Sequence, residues 1–352
     1  MHRWKSLLLG LALALIPALA RAEAPPPVIR IGIAAEGLGG RQYAYRLSLD
    51  VVRAQGLLEK EFARTGTKVT WTYFRGAGPA VSEALAGGQL DFVFHGDLPA
   101  VAARAAGLKT RYLMPLYARS NIYVAVPVKS PLKTLADLKG HVVANFRGTA
   151  TQLVAERVLA SAGLTDRDLH FVNMDVAATN AALATAQIDG AFVMLNSFGL
   201  KDQNLIRYIF ASNWQPRFSA VGGLIVTDDF ARKYPQAVDR FVKVAVQGAY
   251  FAAQPQNRQA VFAIWAKSGY PQSYFARDYQ GQDLKVGLSP LTDDFVVGKY
   301  KSAVADALRF GLIRKPVDLT GWFDRGPVNR ALAALHLEHF WVQADVDGKP
   351  KA

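Results

Sequence analysis

Apolar runs that stop at a glycine-rich turn and give way to helix set the terms for this chain. The pattern appears first at 28–33, followed by Ala34-Ala35-Glu36-Gly37-Leu38-Gly39-Gly40. It returns at 68–74, where Val69, Trp71 and Tyr73 alternate with threonines ahead of Arg75-Gly76-Ala77-Gly78-Pro79. A third copy joins Leu90, Phe92, Val93 and Phe94 to His95-Gly96-Asp97-Leu98-Pro99 and to an alanine-rich helix that stops at Gly107. Short strands separated by helical segments predict an α/β fold with parallel strands. In such a sheet the turns at the strand carboxyl ends share one edge, and ligands bind there. A helix N-terminus also leaves backbone N–H groups unpaired, which makes it a natural seat for an anion. Each turn taken alone is an ordinary connection. Their succession is what points to a site.

The alternation continues. Strands are expected at 110–116 and 122–128, and Ser130-Pro131-Leu132-Lys133-Thr134-Leu135-Ala136-Asp137-Leu138-Lys139-Gly140 reads as a short capped helix closed by glycine. After a strand at 141–144, Asn145-Phe146-Arg147-Gly148-Thr149-Ala150-Thr151 opens a helix ended by Gly163. This fourth turn brings hydroxyls and a guanidinium to a helix start. Strands at 169–172, 188–195, 204–210 and 220–226 follow, and beyond Asp228 the pattern is mainly helical. A length of 352 residues suits two domains.

Several function classes are excluded or disfavoured. Gln42 stands where a dinucleotide fingerprint needs its third glycine, and no Gly-Lys-Ser/Thr phosphate loop occurs. The chain has no cysteine, so disulfides, thiolate metal sites, thiol nucleophiles and a lipidated cysteine are all ruled out. His336-Leu337-Glu338-His339 lacks the i, i+4 spacing of a zinc helix, and the other histidines are dispersed. No catalytic set, metal or cofactor is expected. The formal net charge of +13 is scattered rather than gathered into a basic stripe. That favours small anions over nucleic acid as partners. Residues 1–22 read as a secretory signal: Arg3 and Lys5 precede an apolar centre, and Ala20-Arg21-Ala22 is a small-x-small cleavage site. Cleavage after Ala22 and export to the periplasm are expected, with no stable membrane insertion.

At this point the residues resemble a family. His95-Gly96-Asp97-Leu98-Pro99 is similar to the Gly-Asp-Ile-Pro-Pro segment of periplasmic aliphatic-sulfonate-binding proteins. Those are solute receptors of ABC importers, grouped with the taurine and nitrate receptors. The block from Ser130 to Gly140 resembles that family's Ser-Pro-Ile-Lys-Thr-x-x-Asp-Leu-Lys-Gly, and Arg147-Gly148-Thr149-Ala150-Thr151 its Lys-Gly-Ser-Ser-Ser turn. Gly311-Leu312-Ile313 with Lys315-Pro316-Val317-Asp318 resembles its C-terminal segment. The resemblance implies a type II periplasmic-binding fold: two α/β lobes joined by two crossover strands near 122–126 and 223–226. Lobe one would take 28–121 and 223–330, lobe two 122–222, with a C-terminal tail at 331–352. It implies a monomer that captures a small anionic, sulfonate-like ligand between the lobes and delivers it to an ABC permease. The ligand-site candidates are Glu36, Gly37, Gly78, Gly96, Asp97, Arg147, Thr149, Thr151 and Asn196. Glycines would let backbone approach, threonines would donate, Arg147 would supply or steer charge, and Asp97 would cap its helix. Where many relatives carry Trp-Asp-Pro, this chain has Met194-Leu195-Asn196. The missing carboxylate argues against an amine-bearing ligand such as taurine. The rival reading is an enzyme on the same fold acting on a small anionic metabolite.

Overall fold

The computed structural model describes residues 24–351. The expected signal segment, with its cleavage after Ala22, lies outside the described residues. Among the described residues, ten strands build two sheets. They are β1 (Val28–Ile33), β2 (Lys68–Tyr73), β3 (Phe92–Gly96), β4 (Thr110–Tyr117) and β5 (Tyr123–Pro127), then β6 (Val142–Asn145), β7 (His170–Asn173), β8 (Gly190–Val193), β9 (Ile206–Ala211) and β10 (Gly222–Thr227).

The first sheet has the order β2-β1-β3-β10-β4 and the second β7-β6-β8-β5-β9. In the first, β1 runs parallel to β2 and β3, while β10 lies antiparallel between β3 and β4. The second repeats the plan: β6 is parallel to β7 and β8, and β5 lies antiparallel between β8 and β9. This is the type II periplasmic-binding fold. The chain passes between the sheets at 118–122 and at 212–221, just ahead of the strands where crossing was expected. The two connectors are laced together in the interior. Ser212 Oγ accepts the Ile122 N–H at 3.0 Å and donates to Asn121 Oδ1 at 2.7 Å, and the Ala220 N–H donates to Ser120 Oγ at 3.0 Å.

Long helices cover the first sheet for reasons visible in their spacing. In Pro235–Ala253, Val238, Phe241, Val242, Ala245, Val246 and Ala249 recur at helical period and are all buried. Phe241 stacks on Phe92 of β3 with centroids 4.1 Å apart. Burying such a ring contributes about 1.5–3 kcal/mol. On the opposite face Tyr112 of β4 meets Tyr300 of the helix Asp294–Arg309 at 5.0 Å and Trp322 at 5.4 Å. The expected tail is packed too: Leu332, in the helix Gly326–Leu335, and Trp341 are both buried. No helix among the described residues is long and apolar enough to cross a membrane.

Candidate functional site

Four helices begin where strands of the two sheets end: Ala77–Ala86 after β2, Asp97–Ala105 after β3, Ala150–Ser161 after β6 and Val176–Ala184 after β7. Their first turns, together with residues 34–40 and 45–47, line one cleft of about 630 Å³ between the lobes. That is within the range of small-molecule sites, about 300–1,000 Å³.

Of the residues singled out in the sequence, Glu36, Gly37, Gly78, Gly96, Thr149, Thr151 and Asn196 line this cleft. The glycines are there because neighbouring side chains come too close for a Cβ. A Cβ on Gly78 would stand 2.5 Å from Pro99, and one on Gly96 would stand 2.7 Å from the Ala150 Cβ of the other lobe. Thr149 is the cap residue of its helix, yet its Oγ1 donates back to the Phe146 carbonyl at 2.7 Å. The hydroxyl proton expected for a ligand therefore holds the turn instead. The donors left over are the backbone N–H groups of the first helical turn. Asn196 Oδ1 accepts the Met194 N–H at 3.1 Å, so this side chain shapes the wall of the second lobe.

Two candidates are not in the cleft. Asp97 is fully buried and is the first residue of its helix, with Gly96 in the cap position. Its Oδ1 accepts the neighbouring Leu98 N–H at 2.8 Å rather than closing a cap. Burial pushes its carboxyl up, against the pull of the Arg157 and Lys299 charges. Arg147 is exposed, and its guanidinium lies over the Phe171 ring at 5.9 Å. Phe146 lines the cleft, so the next residue of the turn points out of it. His95 also serves the fold. Its ring nitrogen sits 3.4 Å from Ser82 Oγ, and burial pushes its pKa down to about 4.

The sequence reading missed Arg46. It lies in the irregular stretch between Gly40 and Ser48 with φ at +71°, a left-handed backbone rare for arginine. Its guanidinium sits 5.1 Å from the Tyr117 ring and 5.4 Å from that of Tyr45, and it lines the cleft. Among the described residues no carboxylate or carbonyl accepts a hydrogen bond from it. Burial works to lower its pKa, and the nearby Tyr117, Tyr45 and Tyr279 phenols and Asp278 more than offset this, so the group stays cationic. The neighbouring tyrosines were the one signal in the sequence, and only the fold shows what they surround. Arg75, the other cation of the cleft, is already engaged. Its Nη2 meets Asp175 Oδ2 across the lobes at 2.8 Å, and Asp175 also caps its own helix through the Ala178 N–H. Tyr45, Phe94, Tyr117, Phe146, Phe192 and Tyr270 supply the apolar surface. A free guanidinium, helix N-termini and aromatic walls together suit an oxyanion on an organic body.

The family model described as NMT1/THI5 like matches residues 62–258, more than half of the chain. The chain belongs to the NMT1/THI5-like family. An Escherichia coli (strain K12) protein named for binding aliphatic sulfonates is 33% identical over 170 residues, which is 48% of this chain and 49% of that protein. This member therefore aligns with about half the length of that relative. Among solved structures, the periplasmic sulfonate-binding protein SsuA of a Methylobacillus flagellatus KT sulfonate ABC transporter is 30% identical with a TM-score of 0.77, covering 90% of this chain and 97% of that one. The alkanesulfonate-binding protein SsuA of Xanthomonas axonopodis pv. citri, bound to MOPS, is 25% identical with a TM-score of 0.71, covering 86% and 100%.

Proposed function

We propose that this chain is a periplasmic solute receptor that takes a small organic anion, an aliphatic sulfonate in the first place, into the cleft between its lobes and hands it to an ABC permease. It acts as an exported monomer. The observation that carries the reading is the unpaired Arg46 guanidinium, set among aromatic rings where helix N-termini converge. The names of the relatives agree with it. Arg46 provides the counter-charge, the first-turn N–H groups after Gly78, Gly96 and Thr149 complete the oxyanion seat, and Glu36, Gly37, Thr151 and Asn196 shape the surroundings. An enzyme is the weaker reading, because the sequence holds no thiol and His95 packs under a turn without lining the cleft.

The test is a thermal-shift and calorimetry panel of sulfonates, sulfate esters, nitrate and carboxylates on the exported chain. A sulfonate at about a hundred times its dissociation constant stabilises the fold by about 2.7 kcal/mol. That raises the melting temperature by about 2–4 °C. Ligand is recovered unchanged. Binding confined to carboxylates or nitrate, or consumption of the ligand, would overturn the proposal.

A further inference from the structure

We infer that Arg157 of the second lobe and Asp97, Lys299 and Asp306 of the first form a latch outside the cleft, which biases the lobes toward closure before a ligand arrives. The latch concerns the motion of the lobes and is independent of which anion the cleft takes.

The helix Ala150–Ser161 follows β6 and so belongs to the second lobe, yet one of its faces packs into the first. Leu153 is fully buried in a core cluster with Val81, Leu98, Val101 and Tyr300, and among the described residues it is the only member of that cluster from the second lobe. One turn further on, Arg157 Nε donates to Asp306 Oδ2 of the helix Asp294–Arg309 at 2.8 Å, and the Arg157 side chain is 9% exposed. Residues four apart share a helix face. The helix thus presents an apolar anchor and a cation to the same neighbouring lobe.

Asp97 and Lys299 complete the cluster. Both are buried, and the Arg157 and Lys299 charges act on the Asp97 carboxyl. The Asp97 N–H donates to the Val221 carbonyl at 3.0 Å, and Lys299 Nζ to the Pro216 carbonyl at 2.8 Å. Both acceptors lie in the connector 212–221, so the cluster grips the two lobes and one of the crossings between them. None of its four side chains lines the cleft. Two cations face two carboxylates, and separating the lobes would part Arg157 from both acids. The cross-lobe pair of Arg75 and Asp175 contributes little by comparison, because its arginine is 70% exposed. The latch is also incomplete, which keeps it releasable. Arg157 Nη1 and Nη2 and Asp97 Oδ2 are buried without a hydrogen-bond partner among the described residues. Such atoms regain hydrogen bonds from water on opening, which opposes the attraction between the charges. Two arrangements close in free energy result, and a ligand bridging the cleft can decide between them.

Small-angle X-ray scattering of the ligand-free protein reads the bias directly, and calorimetry with hexanesulfonate reads its effect on binding. Wild-type scattering fits the arrangement with the lobes in contact. Arg157→Gln and Asp306→Asn each cut the pair, and the radius of gyration rises in both. Arg157→Lys keeps the charge and stays near the wild-type value. A competent fraction cut to about a tenth weakens hexanesulfonate by about tenfold, and saturating ligand returns the variant to the wild-type profile. Wild-type scattering from separated lobes would overturn the inference. So would neutral variants that melt earlier with unchanged scattering, since the cluster would then stabilise the fold without biasing the lobes. If Arg157→Gln does not fold, Asp306→Asn, at the 24%-exposed end of the pair, decides on the same readouts. Should hexanesulfonate bind none of the proteins, the sulfonate reading fails while the scattering still decides the latch.

Discussion

The stretch 34–47 of the first lobe and the turn 145–151 of the second face one cleft and use their residues in opposite ways. In the turn, polar side chains serve the turn itself. Asn145 Oδ1 accepts the Phe146 N–H at 2.8 Å, Thr149 Oγ1 donates to the Phe146 carbonyl, and Gln152 Oε1 accepts the Gly148 N–H at 2.7 Å. In the stretch, the backbone is held by other means. The Gly37 N–H donates to the Arg41 carbonyl at 2.9 Å and the Leu38 N–H to the Ser268 carbonyl at 2.7 Å. Glu36 and Arg46 are thereby left free to meet a ligand. A regular strand-to-helix turn offers backbone donors and spends its side chains on holding shape. An irregular loop anchored from outside can present charge.

Arg46→Gln is the strongest way to break this contrast. Loss of a hydrogen bond to a charged group costs about 1.5–3 kcal/mol, so sulfonate affinity measured by calorimetry falls about tenfold to a hundredfold. Unchanged affinity would mean that the loop is no more a charge donor than the turn. Next in size is Gly148→Ala. This glycine has φ at +73°, and its Cβ would stand 2.7 Å from Pro79 across the lobes. The substitution strains the turn by about 1 kcal/mol or more and hinders closure, so affinity drops about tenfold while the apo melting temperature moves little. A large apo destabilisation with normal binding would show that the glycine serves only the second lobe. Arg75→Gln removes the ion pair with Asp175. Because the Arg75 side chain is 70% exposed, that pair is worth about 1 kcal/mol or less. Stopped-flow release should quicken by about threefold at low salt, and the difference should fade at high salt. The smallest effect belongs to Arg147→Gln. Its side chain lies on Phe171 outside the cleft, so affinity should stay at the wild-type value. A clear loss there would restore the turn as a source of charge.

These cases explain what was legible in the sequence. Strand β1 matches the apolar run at 28–33 residue for residue, and β4 extends the run at 110–116 by one. The glycines of the turns also stood out, because close backbone approach leaves few other choices. Asp97 was harder. A residue one place inside a helix and a true cap look the same in sequence. Arg147 was misplaced because a side chain's direction around a turn depends on which neighbour enters the cleft, and Phe146 does. Arg46 left little to read beyond the tyrosines beside it. Its place is set by Tyr117, 71 residues further on and in another strand, and by a backbone angle that no local preference predicts.

The strand order has a consequence for how the molecule is made. β10 lies between β3 and β4, yet it is synthesised after the whole of the second sheet. Emerging from the ribosome, β4 has no strand beside it until residues 222–227 arrive. The second sheet, by contrast, has all its strands once β9 is out. The later-encoded lobe is therefore the first that can complete its sheet, while the earlier one waits with an open gap. Long-range pairings of this kind slow folding and leave strand edges exposed to wrong partners. On the export route proposed above, such a delay would be useful, since a polypeptide that cannot close its first sheet early remains threadable for longer.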